Sequence, residues 1–465
     1  MTPLIVLNVV GLSPRQIGPD TPCLARLASR GAMRPLATVT PAVTCTVQST
    51  MLTGLPPDRH GAVANGWFFD DLGEIFFWRQ SARLVSGERV WEAARRLDPG
   101  FNCANLFWWY AMHTTADISV TPRPMYLADG RKIPDCWAQP PGLREELTKE
   151  LGAFPLFSFW GPATSIRSSQ WIGDCALHVR RTRAPTLTLV YLPHLDYDLQ
   201  RLGPDHPAIA AALREIDAVC GALIEDASRD GAEVLVVSEY GITAVSTAIP
   251  INRALREAGW LAVRSEFGGE QVDLAASSVF AVADHQIAHV YVRRKDLMGA
   301  AAALVAELDG VETVFCGDER GRLGLDHPRS GDLVALARAD AWFTYYYWLD
   351  DAKAPDYART VDIHRKPGYD PVELFLDPAI RFPKLAVAWR LAKRAAGLRT
   401  LMDVIPLDAS LVRGSHGRPT DDPADGPLVI ASRADLAPGP VPAHAVKALV
   451  LRLLFPERRD LGAGT

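Results

Sequence analysis

Residues 3–10 read PLIVLNVV, an almost unbroken apolar run with the length of one strand. A strand that is apolar on both faces belongs in a parallel sheet covered by helices on each side. Two further runs behave alike. Residues 187–191 (LTLVY) lead into His194-Leu195-Asp196-Tyr197-Asp198, and residues 234–237 (VLVV) end at Ser238-Glu239-Tyr240-Gly241. Between them, residues 206–230 carry apolar Ile209, Leu213, Ile216 and Val219 at helical spacing, so helix and strands form a βαβ unit. Ligands of an open parallel sheet bind beyond the carboxyl ends of its strands. Asp196 and Glu239 stand at such ends, and the hydroxyl-rich stretch 40–46 (TPAVTCT) follows the first run after a loop and a short helix. The arrangement favours an enzyme.

The rest of the chain keeps an α/β rhythm. Residues 21–30, 44–52, 88–97, 168–183, 251–258, 300–308 and 443–454 read as helices, the second of them stopped by Gly54. Residues 102–109, 289–292, 311–315, 332–336 and 428–431 read as strands. Long excursions are expected near 118–165 and 340–400, within a single catalytic domain spanning 1–465. The 48% hydrophobic and 22% charged fractions are those of a globular protein. A net charge of −5 and the lack of a basic or aromatic platform give no case for nucleic-acid binding. The seven cysteines form no CxxC pair, which removes zinc ribbons and thioredoxin-like motifs and fits reduced thiols. The first apolar run has no basic segment before it and is too short for a membrane span. A cytoplasmic protein is expected.

Residues 40–65, TPAVTCTVQSTMLTGLPPDRHGAVAN, carry the chemistry most directly. A Thr at a helix start sits among free backbone N–H groups at the positive end of the dipole, a ready phosphate cradle. Such a Thr is also the commonest kind of N-cap. The spacing Thr44…Thr53-Gly54-Leu55-Pro56-Pro57…His60-Gly61…Asn65 resembles the nucleophile region of the nucleotide pyrophosphatase/phosphodiesterase branch of the alkaline phosphatase superfamily. The resemblance implies a three-layer α/β sandwich with a mostly parallel central sheet, Thr44 as nucleophile and Asn65 as the amide on a phosphoryl oxygen.

It also implies divalent metal, zinc or manganese, as one or two ions. Asp196 matches a family ligand, and the histidine four residues on is Gln200. The late His-Gly element matches at His416-Gly417. The family's Asp-His-Gly step is Glu239-Tyr240-Gly241, and its early Asp-Gly step is Val10-Gly11, with Asn8 one pleat deeper. Expected metal ligands are therefore Asp196, Gln200, Glu239 and His416, a set poorer in charge than the family's. Asp284 and His285, with His289 nearby, are expected replacements, against the plainer reading of a polar turn entering a strand. His364, in His364-Arg365-Lys366-Pro367-Gly368-Tyr369, offers cations for an anionic substrate, against that of a solvated loop. His194 and Asp198 would share the face of Asp196 if the strand ran on.

The activity this implies is hydrolysis of a phosphodiester, pyrophosphate or phosphate-ester bond in a small phosphorylated substrate. Two alternatives are a phosphonate- or sulfate-ester hydrolase and a degenerate member that binds a phosphorylated metabolite or partner without turnover. The aromatic stretches 107–110 and 342–348 are expected in the core. Residues 381–399 (RFPKLAVAWRLAKRAAGLR) form a helical stripe of Leu385, Trp389, Ala392 and Ala396 among six basic residues. The stripe is expected to pack on the core, with membrane contact as the lesser alternative.

Overall fold

The apolar runs become the middle of a nine-stranded sheet in the computed structural model, which describes residues 1–128, 131–433 and 436–458. Its order is Val441–Pro442, Ala32–Ala37, Leu428–Ala431, Glu233–Val237, Leu4–Val9, Leu187–Leu192, Cys103–Leu106, Ile118–Pro122 and Cys136–Gln139. The five strands from Glu233–Val237 to Ile118–Pro122 run parallel to one another, with an antiparallel strand on each side. Leu4–Val9 lies between Leu187–Leu192 and Glu233–Val237, all six of its residues buried, as its composition requires. Asn8 therefore pairs across the sheet with Tyr191 on one side and Val237 on the other.

Two groups of helices cover this sheet. Pro22–Arg30, Ile166–Arg183, His194–Leu202 and Ile209–Arg229 pack with one another, as do Thr44–Thr53, Val90–Leu97 and Val446–Leu454. Leu4–Val9 touches Ile209–Arg229 of the first group and Val446–Leu454 of the second, which gives the three-layer α/β arrangement. A second, four-stranded antiparallel sheet is built from Val279–Asp284, Ile287–Val292, Leu333–Ala337 and Val311–Cys316. It has its own apolar cluster, and Tyr345, Tyr347 and Trp348 of the aromatic stretch lie inside it. All seven cysteines are free.

Two expectations change here. The chain after Leu187–Leu192 turns at once into the helix His194–Leu202, so Asp196 and Gln200 share a face and Asp198 and His194 do not join them. Asp198 instead takes Arg201, and His194 meets Glu215 at 2.9 Å. The basic stripe also departs from its expected place. The helix Pro383–Ala395 has no buried residue, and Leu385 and Trp389 are 67% and 61% exposed.

Candidate active site

Thr44 opens the helix Thr44–Thr53 directly beyond the sheet. Val43 is the N-cap and makes no side-chain capping bond, so the Thr44 hydroxyl is not used as a cap. Gly54, at φ 71°, closes the helix in the left-handed region open to glycine. The Thr44 hydroxyl instead lies 3.1 Å from the Tyr240 phenol, which donates to Asp196 Oδ1 at 3.2 Å. A phenol has one proton to give. When Asp196 is ionised Tyr240 gives it to that carboxylate, so Thr44 donates to Tyr240 and the three form a directed line.

Asp196 is held from its other oxygen as well. Gln200 Nε2, one helical turn later, donates to Asp196 Oδ2 at 2.8 Å, and Gln200 Oε1 accepts from the Tyr369 phenol at 2.9 Å. Burial pushes the Asp196 carboxyl up to about 7 against those hydrogen bonds. His416 completes this corner. Its Nδ1 is 2.8 Å from the Ala42 carbonyl, which can only accept, so Nε2 carries the lone pair and faces Asp196 Oδ1 at 3.8 Å. Its ring lies flat on Tyr240, with centroids 3.5 Å apart, and beside His285 at 3.6 Å. Gly417 lets the chain pass there: its φ is 118°, and a Cβ would come 2.9 Å from the Gln286 nitrogen.

Glu239 sits at the end of its strand, fully buried. Its Oε1 accepts from Asn8 Nδ2 and Gln48 Nε2, both at 2.6 Å, while Oε2 has no partner. Burial raises this carboxyl to about 8, against the amide hydrogen bonds. Gln48 is a residue that the sequence reading passes over. Its signal was available: a polar side chain four residues after Thr44 shares that residue's helix face. Tyr369 was quoted only as the end of a basic loop.

Asn65 is fixed from both ends. Its Oδ1 accepts the Cys45 N–H of the first helical turn at 3.0 Å, and Asp284 receives its backbone N–H at 2.8 Å and its Nδ2 at 3.1 Å. Asp284 and His285 thus come from the hairpin tip of the second sheet, where His285 has φ 61°. Asp284, raised by burial to about 7, positions the amide, and His285 stacks on Tyr369 at 3.7 Å with its Nδ1 unpartnered. The others stay apart. His289 is spent on the Val63 carbonyl and the Gly331 N–H, and His364 meets the Phe77 carbonyl at 3.3 Å. Lys366 is buried between Asp370 and Glu373, 2.7 Å from each, so the basic loop supplies this site no free lysine.

The profile of the type I phosphodiesterase / nucleotide pyrophosphatase family matches residues 4–370. The chain belongs to this family. An uncharacterised pyrophosphatase/phosphodiesterase of Schizosaccharomyces pombe is 26% identical over 240 residues, 49% of this chain and 41% of that protein. The match thus spans less than half of that relative's length. Phosphonoacetate hydrolase from Sinorhizobium meliloti, solved with phosphonoformate, superposes with a TM-score of 0.61 at 15% identity, covering 97% of this chain and 96% of that one. Murine ectonucleotide pyrophosphatase / phosphodiesterase 5, an inactive threonine-to-alanine variant with AMP, gives 0.58 at 15%, covering 98% and 95%. At that identity these likenesses speak for the fold.

The divalent ions expected from the family pattern can be tested against this phosphodiesterase-family chain's own donors. Val10 has no donor, and the Tyr240 phenol is spent between Thr44 and Asp196. Both Asp196 oxygens accept from neutral donors, and so does Glu239 Oε1. Asp196 and His416 face each other, and neither the unpartnered Glu239 Oε2 nor the unpartnered His285 Nδ1 joins them as a third ligand, short of the three protein ligands of a catalytic zinc. Among the described residues no three His, Cys, Asp or Glu side chains form such a group. The donor set does not fit a metal centre.

Proposed function

We propose that this chain is a phosphoester hydrolase in which Thr44 attacks phosphorus and Tyr240 and Asp196 accept its proton. The observation that carries the reading is the directed line from the Thr44 hydroxyl through the Tyr240 phenol to Asp196. A general base works best with a pKa near the operating pH, and burial holds Asp196 at about 7.

In the first step the Thr44 oxygen bonds to phosphorus and the bond to the leaving alcohol or phosphate breaks. The Thr44 proton passes to Tyr240 as the Tyr240 proton passes to Asp196, and the leaving oxygen takes a proton from solvent. In the second step water attacks the phosphothreonine and gives a proton to solvent. The Thr44 oxygen departs and recovers its proton from Asp196 through Tyr240. First-turn N–H groups have no partner within a helix; that of Cys45 is taken by Asn65, and those of Thr44 and Thr46 are left for the charge that develops on the phosphoryl oxygens. Asn65 Nδ2, aimed by Asp284, is the side-chain donor for the same oxygens.

Mass spectrometry of protein quenched during turnover of bis-p-nitrophenyl phosphate tests this reading. A phosphoryl adduct on the peptide bearing Thr44 is expected; turnover with the adduct on another residue would refute the assignment. Parallel assays with phosphonate and sulfate esters separate the bond classes.

One observation favours a second reading, a member that binds a phosphorylated metabolite without turnover. Thr44 is 3% exposed. An aromatic row, Trp109–Trp78–Tyr369–Trp160, borders the site through the Trp109 N–H on Gln48 and the Tyr369 phenol on Gln200. Saturable binding of AMP with no turnover of any ester class would select that reading.

A further inference from the structure

The segment 381–399 contains six Arg or Lys and no Asp or Glu, in a chain of net charge −5. Its helix Pro383–Ala395 has no buried residue. Phe382, Leu385 and Trp389 are 61%, 67% and 61% exposed, and Leu398 and Leu401 beyond the helix are 58% and 47% exposed. At about 100° per residue, Phe382, Leu385, Trp389, Ala392 and Ala396 fall within one stripe about 80° wide. The opposite edge holds the helix to the protein: Val387 packs against the cluster of Val245, Trp342 and Val404, and Arg390 pairs with Asp403 at 2.6 Å.

Arg394 donates to the Thr400 carbonyl at 3.0 Å, and apart from Arg390 the charges, those of Arg381, Lys384, Lys393, Arg394 and Arg399, have no acidic partner among the described residues. Arg381 and Lys393 instead lie over the rings of Phe382 and Trp389, each 5.3 Å from the centroid. Aromatic and leucine side chains turned outward, with cationic tips at their flanks, suit the boundary between headgroups and acyl chains. A helix of 13 residues is about 20 Å long, short of the hydrocarbon thickness, and no described helix is long and apolar enough to cross a membrane. It would lie in the plane of the surface. A second copy of the helix would bring like charges together.

We propose that the 381–399 segment docks this protein on an anionic lipid surface, with Phe382, Leu385 and Trp389 entering the acyl boundary and the basic residues meeting lipid phosphates. The inference is independent of the reading of Thr44. It is tested by co-sedimentation of the full chain with phosphatidylcholine vesicles and with vesicles containing phosphatidylglycerol. Partition into the anionic vesicles about tenfold or more above the neutral ones is expected, falling as salt rises. Leu385→Glu/Trp389→Glu and Lys384→Glu/Lys393→Glu/Arg394→Glu should each lower it about tenfold while melting and eluting like the parent. Equal partition into both vesicles, no partition, or partition indifferent to Leu385→Glu/Trp389→Glu would overturn the proposal. So would self-association abolished by the same variant, which would make a second copy the occupant. Retention on immobilised polyglutamate without vesicle binding would assign the surface to an acidic protein instead.

Discussion

The two corners of the site differ in how they relate to the family pattern. The Thr44–Asn65 corner keeps the expected residue types, and its geometry is tight: Cys45, Asn65 and Asp284 are locked by three hydrogen bonds. The Asp196–Glu239 corner has lost ligand types at Val10, Gln200 and Tyr240. Two of these losses, at Gln200 and Tyr240, put a neutral donor on a remaining carboxyl. Gln200 and Tyr240 both donate to Asp196, and Asn8 and Gln48 both donate to Glu239. A buried polar network is stable only when its members are satisfied together. Gln200 and Tyr240 thus serve one carboxyl together, which isolated loss of ligands would not produce, while Glu239 Oε2 stays unpartnered.

The largest effect should come from the unaltered corner. Thr44→Ala should lower phosphodiester turnover by about 10⁴-fold with folding intact, read by steady-state kinetics and circular dichroism. Turnover that survives this change would remove the nucleophile from the account. Next comes the altered corner. Tyr240→Phe cuts the proton line without changing the ring stacked on His416 and should cost about 10³-fold in kcat. The rate of the parent should rise with pH to a plateau above about 7, because only the unprotonated Asp196 accepts the proton; a flat profile across that window would contradict the relay. Asn65→Ala should cost about 10²-fold, the usual loss for one donor to a developing oxyanion. An equal loss in a non-hydrolytic AMP-binding assay would make Asn65 a ground-state binding group only.

The smallest effect concerns stability. Glu239 binds its proton more tightly folded than unfolded, with the folded value raised to about 8 from the ordinary 4.5. Below the unfolded value both states are protonated and nothing is lost. As pH rises the unfolded state sheds its proton first, so stability drains away until the folded carboxyl also ionises. Glu239→Gln should therefore gain on the parent from about pH 4.5 to about pH 8, by a few kcal/mol at most, in urea melts at each pH. A constant difference across that range would show that Glu239 is ionised in the folded protein.

The sheet was legible because parallel strands buried on both faces leave unbroken apolar runs, and residues 3–10, 187–191 and 234–237 all became neighbours in it. Thr44 and Asn65 could be located because a helix start and a family spacing coincide there. The network around Asp196 was less legible. Its partners come from five separate stretches, those of Asp196 with Gln200, Tyr240, His285, Tyr369 and His416, and hydrogen bonds between distant segments leave no periodicity. Residues 194–198 misled because a strand end and a helix start are alike over five residues. The stripe at 385–396 misled because helical periodicity marks an apolar face without saying what covers it.

The most direct test of the central claim is metal content and turnover measured on one preparation. The protein is analysed for bound metals, and bis-p-nitrophenyl phosphate hydrolysis is followed before and after exhaustive chelation. The account expects less than stoichiometric metal and an unchanged rate, with the pH limb near 7 preserved. Stoichiometric bound zinc or manganese, with turnover lost on chelation and restored by adding the ion back, would contradict it.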